Sequence, residues 1–312
     1  MENRILGLHH ITAIAGEAQR NYDFYTKVLG LRLVKKTLNF DDPASYHFYY
    51  GDKVGTPGTI LTFFPWEGIH KGTVGTGMAT EIGYSVPQGS LPFWTDRFQG
   101  LKVKHQPVAE RFGEQYLSFE DPDGLLLHLI ETGTSDNRKQ WTTAGINETV
   151  ANKGFHNVVL NVRNLEPTAK VLTDIFGYQQ TSQEGNRYRF VTDAIGTGNT
   201  VDIVEDPAGH RGVNAGGTNH HVAFRVKDDQ LMMEFREKVK TAGLNITEKI
   251  DRNYFYSLYF REPGGILFEL ASENPGFATD ETVSELGTHL MLPPQYERSR
   301  SKIEEVLPAL HQ

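Results

Sequence analysis

Four stretches of the chain share one pattern: the end of an amphipathic helix, then a glycine suited to a helix terminus, then a strand. The glycines lie 70, 77 and 66 residues apart. They are Gly30, Gly100, Gly177 and Gly243. A pattern that recurs four times at this spacing predicts four copies of one supersecondary unit.

Each unit also begins with a strand-like stretch. The four predicted opening strands are Leu8–Ala15, Thr80–Val86, Phe155–Val162 and His220–Val226. Apolar residues at helical spacing follow, such as Tyr25, Val28 and Leu29 in the first unit. Further strands close each unit, and a turn precedes the last one, as in "EDPDGLLLHLIE" and "REPGGILFELAS". The pattern predicts an α+β fold with the order strand, helix, strand, strand, strand, four times over.

The composition excludes several classes of protein. Lys and Arg total 31 against 39 Asp and Glu, and the net charge of -8 argues against a nucleic-acid surface. Cys is 0, so disulfides, thiolate metal sites and a cysteine nucleophile are excluded. No apolar run reaches membrane-spanning length and the N-terminus lacks a signal-peptide core, so we expect no membrane partner and a cytoplasmic location.

Two predicted opening strands contain a pair of adjacent histidines, in "GLHHITAIAG" and "TNHHVAFRV". A buried imidazole is costly unless its ring nitrogens find partners. Because side chains alternate across a strand, adjacent histidines should face opposite sides of the sheet. His9 and His220 share their faces with apolar residues. His10 and His221 are therefore expected on the concave, wetter side.

The closing strand of the fourth unit supplies a third candidate ligand. Glu269 is a carboxylate inside an apolar strand, which is costly unless it pairs, for instance with Arg252, or binds a metal. Two imidazoles and one carboxylate form a ligand set with open coordination positions, an arrangement associated with non-haem Fe(II) oxygenases. Matching "PGTILTFF" to "PGGILFEL" with one deletion places Phe63 opposite Glu269. Since Phe cannot ligate, no fourth protein ligand is expected.

The second and third units carry a degenerate counterpart of this set. Glu81, Asn157 and His128 fall where the three candidate ligands fall in their own units. Because Asn is a poor ligand for Fe(II), we interpret this set as a structural remnant. His47 is expected at a strand edge or at the rim of a pocket. Three other histidines lie in loop-like sequence and should face solvent: His70, His105 and His210.

The order and length of the units resemble the vicinal oxygen chelate superfamily, which includes glyoxalase I and the extradiol ring-cleaving dioxygenases. In that superfamily two units pair into a cupped sheet around a metal, so the resemblance implies two such barrels here. It covers about residues 5–272. We expect a first domain at 5–133, a second at 152–273, and a polar connection at 134–153. A tail at 274–312 would add a short helix that begins near Glu297.

Several motifs are similar to one branch, the hydroquinone ring-cleaving dioxygenases. They are "LHHITA", "YHFYYGD", "LTFFPW", "TNHHVAF", "RNYFYSLYFREPGGILFEL" and "LMLPPQYE". In that branch the metal ligands come from the first and fourth units, which implies His10, His221 and Glu269. Most catechol-cleaving relatives take all three ligands from the second half, where this chain has Asn157.

The same resemblance implies five catalytic residues around the metal: His9, Thr12, His220, Arg252 and Tyr259. The alternation of side chains along a strand places Thr12 and Tyr259 on the same face as the candidate ligands, in agreement with this role. It places His9 and His220 on the opposite face, unless the strands are bulged or these residues orient their neighbours from behind.

The function implied is an Fe(II)-dependent dioxygenase that opens the ring of a small hydroquinone-type substrate with both atoms of O2. Mn(II) could replace the iron. Three alternatives stay open: a glyoxalase-like metal-dependent isomerase, which would need a fourth ligand; a non-catalytic small-molecule-binding protein of the same fold; and an interaction protein with a dead site, which would leave Arg252 and Tyr259 unexplained. Assembly into a homo-oligomer and the ring substituents accepted are left open by the sequence.

Overall fold

Sixteen strands and five α-helices lie within the residues that the computed structural model describes, 4–40, 42–133, 136 and 138–312. The first unit consists of β1 (Leu8–Ala15), α1 (Ala18–Asp23) with a π-helical turn (Phe24–Val28), β2 (Arg32–Asn39), β3 (Asp42–Gly51) and β4 (Ile60–Pro65). The second consists of β5 (Met78–Pro87), α2 (Leu91–Gly100), β6 (Ala109–Arg111), β7 (Glu114–Glu120) and β8 (Leu126–Thr132).

The other two units have the same order. The third consists of β9 (Phe155–Val162), α3 (Leu165–Lys170) with a π-helical turn (Val171–Ile175), β10 (Gln179–Glu184), β11 (Arg187–Val191) and β12 (Thr200–Glu205). The fourth consists of β13 (Thr218–Val226), α4 (Asp229–Thr241), β14 (Ile250–Asp251), β15 (Tyr256–Arg261) and β16 (Leu267–Ser272). The predicted order of elements is therefore confirmed in every unit.

The strands form two sheets of eight. One has the order β14-β15-β16-β13-β1-β4-β3-β2, and the other β10-β11-β12-β9-β5-β8-β7-β6. The first unit thus pairs with the fourth through β1 and β13, and the second with the third through β5 and β9. The concave sides of these sheets are called the first cup and the second cup below. Each half of the chain contributes to both cups, and the predicted domain boundaries stay a prediction.

The pairing of β1 with β13 contains two bulges. Leu8 lies opposite Phe224 and His10 opposite Ala223, so His9 is an extra residue in β1. The register shifts again after Thr12, and His220 is the extra residue in β13. A bulge leaves one residue unpaired and re-aims its side chain. The pair of β5 and β9 shifts at the matching places, so this irregularity belongs to the repeated design.

Glycine at the helix ends follows the prediction in three units. Gly30, Gly177 and Gly243 have φ of 69°, 82° and 80°, the left-handed conformation that ends a helix without a side-chain clash. The prediction is wrong for Gly100. Helix α2 runs through that residue, and Lys102 takes the positive φ, 57°, instead.

The helices cover the convex faces of the sheets, where the apolar core lies. Phe224 of β13, for example, has its ring centroid 4.8 Å from those of Phe176 and Phe268. The described part of the connection, residue 136 and residues 138–153, contains no helix or strand. Thr134, the predicted start of the connection, lies outside the described residues. None of the described helices is both long and apolar enough to cross a membrane.

The tail covers the edge strand of the first sheet. Met291 donates its backbone N–H to the Lys36 carbonyl of β2, and Tyr46 donates to the carbonyl of Pro308. A turn at Glu297–Ser299 leads into α5 (Arg300–Val306), near the predicted start of a helix. An exposed strand edge invites pairing with other chains, and the tail occupies this edge.

A buried lysine fixes the start of this tail. The Lys35 side chain is fully buried, with Nζ 2.5 Å from Asp280 Oδ1 and 2.6 Å from Glu281 Oε2. Its ammonium also lies 4.9 Å from the centroid of the Tyr254 ring. A buried charge needs such partners, because removing one partner leaves the other desolvated and uncompensated.

We expect Lys35→Met to lower the free energy of unfolding by about 3–5 kcal/mol, because Glu281 would stay buried without its cation. Urea denaturation measures this loss. The matched control is Lys104→Met, which removes an exposed ion pair with Glu120 and should change stability little. Equal stability of the two variants would contradict this role of Lys35.

Candidate metal centre

Three neighbouring strands bring the candidate ligands together. His10 on β1 lies opposite Ala223 on β13, and Ala223 lies opposite Glu269 on β16. The three residues therefore form a row across the sheet, with His221 two positions before Ala223 on the same face. The small Ala223 side chain in the middle of the row leaves room between the larger groups.

The ligand atoms of His10, His221 and Glu269 converge in a buried position. Glu269 Oε2 lies 3.2 Å from His10 Nε2 and 2.9 Å from His221 Nε2, and the two nitrogens are 3.3 Å apart. All three side chains are buried, and Glu269 is fully so. Within the described part of the chain, these residues form the one group of at least three that could hold a metal ion.

His9 fixes the tautomer of His10 from behind. Its Nε2 lies 3.0 Å from the Ser272 carbonyl oxygen, which can only accept, so this nitrogen carries the proton. Burial lowers the pKa of His9 well below its usual value, so the ring is neutral and its Nδ1 accepts. The partner at 2.9 Å is His10 Nδ1, which therefore donates. His10 Nε2 is thus the ring nitrogen that faces Glu269.

The same contact recurs in the second pair. His220 Nδ1 lies 2.8 Å from His221 Nδ1. Burial, followed by the charge of His221, lowers the pKa of His220 to about 3, so this ring is also neutral at neutral pH. The contact turns His221 Nε2 toward Glu269, as His10 Nε2 is turned. Two ring nitrogens and one carboxylate oxygen thus converge, an arrangement that can hold a cation.

The second oxygen of Glu269 is held by the protein. Ser257 on β15 donates to Glu269 Oε1, which leaves Oε2 without a hydrogen-bond donor among the described residues. Ser257 was not among the residues predicted from the sequence. The sequence indicates Ser257 only indirectly. It lies two residues before Tyr259, and Tyr259 lies opposite Glu269 on the neighbouring strand.

A cavity of about 440 Å³ opens next to these ligands. Its walls are largely aromatic, and its lining includes Phe40, Tyr49, Phe64, Trp66, Phe255 and Leu267. A volume of this size suits a small molecule. Thr12, His220, Arg252 and Tyr259 also line it, whereas His9 lies behind His10.

Two of these polar residues interact with each other. Arg252 Nε donates to the Tyr259 hydroxyl at 3.3 Å, and its guanidinium lies 5.3 Å from the centroid of the Tyr259 ring. Burial and the nearby Glu269 raise the pKa of Tyr259, so the phenol stays protonated and can donate. The cavity thus has a cationic and a neutral donor close to the candidate ligands.

The position that matches Glu269 in the first unit is Thr62, so the prediction of Phe63 is wrong. In the fourth unit, Ala223 on β13 lies opposite Glu269 on the parallel strand β16. Thr12 is the residue of β1 that matches Ala223, and it lies opposite Thr62 on the parallel strand β4. Phe63 points to the other face, where its ring centroid lies 4.6 Å from that of Tyr25. A shift of one residue reverses the face of a strand. The expected lack of a fourth carboxylate or imidazole at this position still holds.

The family model for the "Glyoxalase/Bleomycin resistance protein/Dioxygenase superfamily" matches residues 7–78 and 154–270, more than half of the chain. The chain belongs to this superfamily. The predicted resemblance and the cupped-sheet fold are thereby confirmed.

Members of the superfamily resemble the chain along its whole length. MhqO of Bacillus subtilis, which carries a provisional name as a ring-cleaving dioxygenase, is 45% identical over 98% of this chain and 97% of its own. The chlorohydroquinone/hydroquinone 1,2-dioxygenase of Sphingobium indicum is 35% identical over 97% and 96%. A crystal structure of a provisionally named dioxygenase from Bacillus subtilis has a TM-score of 0.95 at 43% identity and covers 99% of this chain and 98% of that one.

The second cup of this superfamily member is filled by ion pairs. Glu81 Oε2 lies 3.0 Å from His128 Nε2, and Arg187 and Arg111 lie 2.8 and 3.2 Å from the Glu81 carboxylate. Asn157 donates to a carboxylate that the sequence pattern did not single out, Asp202, at 2.7 Å. Guanidinium groups thus take up the negative charge in this cup, in keeping with its interpretation as a remnant.

The remaining histidines fall outside the candidate ligand set. His47 lines the cavity, and it lies on β3, which is flanked by β2 and β4 and is not an edge strand. His70 and His210 are exposed, as expected. His105 is half-buried, with Nδ1 2.8 Å from the Val103 carbonyl, so the expectation that it faces solvent is wrong.

We predict one divalent ion per chain when the purified protein is loaded with Fe(II). His10→Ala, His221→Ala and Glu269→Ala should each raise the dissociation constant at least about tenfold, because each removes one of three converging ligand atoms. Elemental analysis and metal titration measure this. His128→Ala is the matched control in the second cup and should leave the affinity unchanged. Unchanged affinity for the ion in the Glu269 variant would contradict the assignment of Glu269 as a ligand.

A second expectation concerns the two halves. Because His10 lies in the first half and the other two ligands in the second, neither residues 1–135 nor residues 150–312 should bind the ion tightly alone. Joint expression of both fragments should restore binding, since β1 and β13 can then pair. Tight binding by the second fragment alone would point to the ligand arrangement of catechol-cleaving relatives.

Proposed function

We propose that the protein is an Fe(II)-dependent ring-cleaving dioxygenase that opens hydroquinone-type aromatics with both atoms of O2. One observation carries the proposal: three potential ligand atoms, from His10, His221 and Glu269, converge at an aromatic-walled cavity, with Thr62 where a fourth ligand would stand. Two imidazoles and one carboxylate with open positions are the ligand set of non-haem Fe(II) oxygenases. The similarity to a chlorohydroquinone/hydroquinone 1,2-dioxygenase along 97% of this chain supports the choice of substrate.

Bound Fe(II) would supply the one-electron chemistry that dioxygen needs and a charge that favours a deprotonated ring hydroxyl. His10, His221 and Glu269 would hold the ion. The nitrogen and oxygen ligands also suit Mn(II), so Mn(II) could replace the iron. His9 and His220 would keep the ligand imidazoles in the tautomer that offers Nε2, through the contacts between Nδ1 atoms.

The cavity walls would do the rest of the substrate binding. Phe64, Trp66 and Phe255 offer apolar surface for an aromatic ring and limit the room for water. Tyr259 and Arg252 can donate hydrogen bonds to an oxygen of the substrate or to negative charge that develops on it. Thr12 is a third donor on the cavity wall.

Hydroquinones differ from catechols in how many oxygens can reach the ion. A catechol offers two adjacent oxygens, whereas a hydroquinone, with its hydroxyls para, offers one. Its second hydroxyl must be held by the protein about a ring width away. Arg252, Tyr259 and the flanking histidines are the candidate partners for that hydroxyl.

A glyoxalase-like isomerase is the less favoured alternative, because Thr62 takes the position of the further carboxylate that such a site uses. A non-catalytic binding protein would not need converging acceptors. A cytoplasmic location and assembly into a homo-oligomer stay predictions.

We predict that the Fe(II)-loaded protein consumes oxygen faster with hydroquinones than with catechols. Tyr259→Phe and Arg252→Ala should keep the ion but lower the rate with hydroquinones about tenfold to a hundredfold, the effect of losing one hydrogen bond to a polar substrate. Oxygen uptake, with product analysis, is the measurement. Faster cleavage of catechol by the unmodified protein would contradict the hydroquinone assignment.

A further inference from the structure

Thr62 has an unusual position and a defined set of contacts. It matches Glu269 in the pseudo-symmetry of the first cup, so it stands on the side of the candidate metal centre that lacks a ligand. The side chain is fully buried. Its Oγ1 lies 2.8 Å from Thr12 Oγ1 and 2.8 Å from His47 Nε2. A hydroxyl thus replaces a carboxylate, and it is held by two neighbours.

His47 matches Ser257 in the same symmetry. Tyr49 pairs with Thr62 across the strands as Tyr259 pairs with Glu269, and His47 precedes Tyr49 by two residues. Ser257 donates to the side chain of Glu269, and His47 contacts the side chain at the matching position. Each residue therefore holds the side chain that faces the metal position from its own half of the cup.

The direction of the hydrogen bonds follows from Tyr49. Its hydroxyl lies 3.0 Å from His47 Nδ1, and the Tyr49 side chain is almost fully buried. Burial raises the pKa of Tyr49 well above its usual value and lowers that of His47 well below, so both groups are neutral. If Nδ1 donated instead, the Tyr49 hydrogen would have to face the cavity, which Tyr49 lines as Thr12 does. With Tyr49 as the donor, His47 carries its proton on Nε2.

His47 then donates to Thr62, and one hydrogen remains to be assigned between the two threonines. Either Thr62 or Thr12 donates in their mutual contact, and the other hydroxyl hydrogen is left over. Thr12 lines the cavity and Thr62 does not. A left-over hydrogen is tolerated where water or a ligand can accept it, so Thr62 donates to Thr12 and the Thr12 hydrogen faces the cavity.

We propose that Tyr49, His47 and Thr62 form a hydrogen-bond chain that turns the Thr12 hydroxyl hydrogen toward an oxygen atom of the ligand bound on the open side of the centre. His47 and Thr62 are positioning residues, because they act through Thr12. This proposal rests on the proposed function for the identity of that oxygen, which belongs to the hydroquinone or to O2.

The direction of the chain can be tested on the metal-free protein, independently of any reaction. Long-range ¹H–¹⁵N correlation spectra report which nitrogen of each imidazole is protonated, and the spectrum of His47→Gln identifies the His47 signals. We expect the proton on Nε2 in the unmodified protein and a mixture of tautomers in Tyr49→Phe. A His47 proton on Nδ1 in the unmodified protein would contradict the proposed direction of the hydrogen bonds.

Its consequence is tested by oxygen uptake with a hydroquinone. Thr62→Val should lower kcat/KM about tenfold to a hundredfold at unchanged Fe(II) affinity, and Thr62→Ser, which keeps the hydroxyl, should restore it. The matched control is Thr37→Val on β2, two strands away in the same sheet, because the Thr37 hydroxyl is buried without a hydrogen-bond partner among the described residues. Unchanged kinetics in Thr62→Val, or failure of Thr62→Ser to restore them, would overturn the positioning role.

The two experiments separate this proposal from the proposed function. If the unmodified protein cleaves no hydroquinone, the proposed function fails, and the spectra still decide the hydrogen-bond direction. If it cleaves hydroquinones and Thr62→Val behaves as the unmodified protein does, only the positioning role fails.

Discussion

The antiparallel pairing of β1 with β13 is the contact on which the candidate site depends. It joins units that are two hundred residues apart in the chain, and it carries one bulge in each strand. In a regular strand, adjacent histidines would point to opposite faces. The bulges at His9 and His220 let each histidine contact its neighbour through Nδ1. One backbone irregularity in each strand thus places a candidate ligand in contact with the histidine that orients it.

The second sheet has bulges at the matching places, but arginine side chains compensate the carboxylates in its cup. Its matching positions hold Glu81, Asn157, His128 and Asp202, and arginines from β6 and β11 reach into the cup. Buried carboxylates need a cation nearby, and a guanidinium serves as well as a metal for that purpose. In the first cup, the imidazoles of His10 and His221 and the hydroxyl of Ser257 contact the Glu269 carboxylate. Arginines thus stabilise the carboxylates of the second cup, and we propose that a metal ion takes that role in the first.

The sequence predicted the units well because periodicity is a direct record of burial. Alternation and helical spacing gave the order of elements, and the paired units followed from the resemblance. The bulges could not be predicted in this way, because one extra residue changes the direction of a single side chain and does not alter the hydrophobic pattern. The same sensitivity explains Phe63: aligning two short strands with a gap left the register uncertain by one residue, and Thr62 was missed. Ser257 contacts Glu269 from the neighbouring strand and Tyr49 contacts His47 from the same strand, and hydrophobic periodicity records neither contact.

Charge gives a reason why Thr62, and not a carboxylate, stands opposite Glu269. A divalent ion with Glu269 and two neutral imidazoles has a net charge of about +1, which a singly deprotonated ring hydroxyl would neutralise. A second carboxylate at position 62 would already cancel that charge and would raise the pKa of the ring hydroxyl by removing the attraction for its anion. A threonine keeps the charge and still offers a hydrogen-bonding group. In the proposed metal site, a hydroxyl held by His47 in place of a carboxylate would therefore suit the binding of an anionic oxygen and would leave positions on the ion open to the reactants.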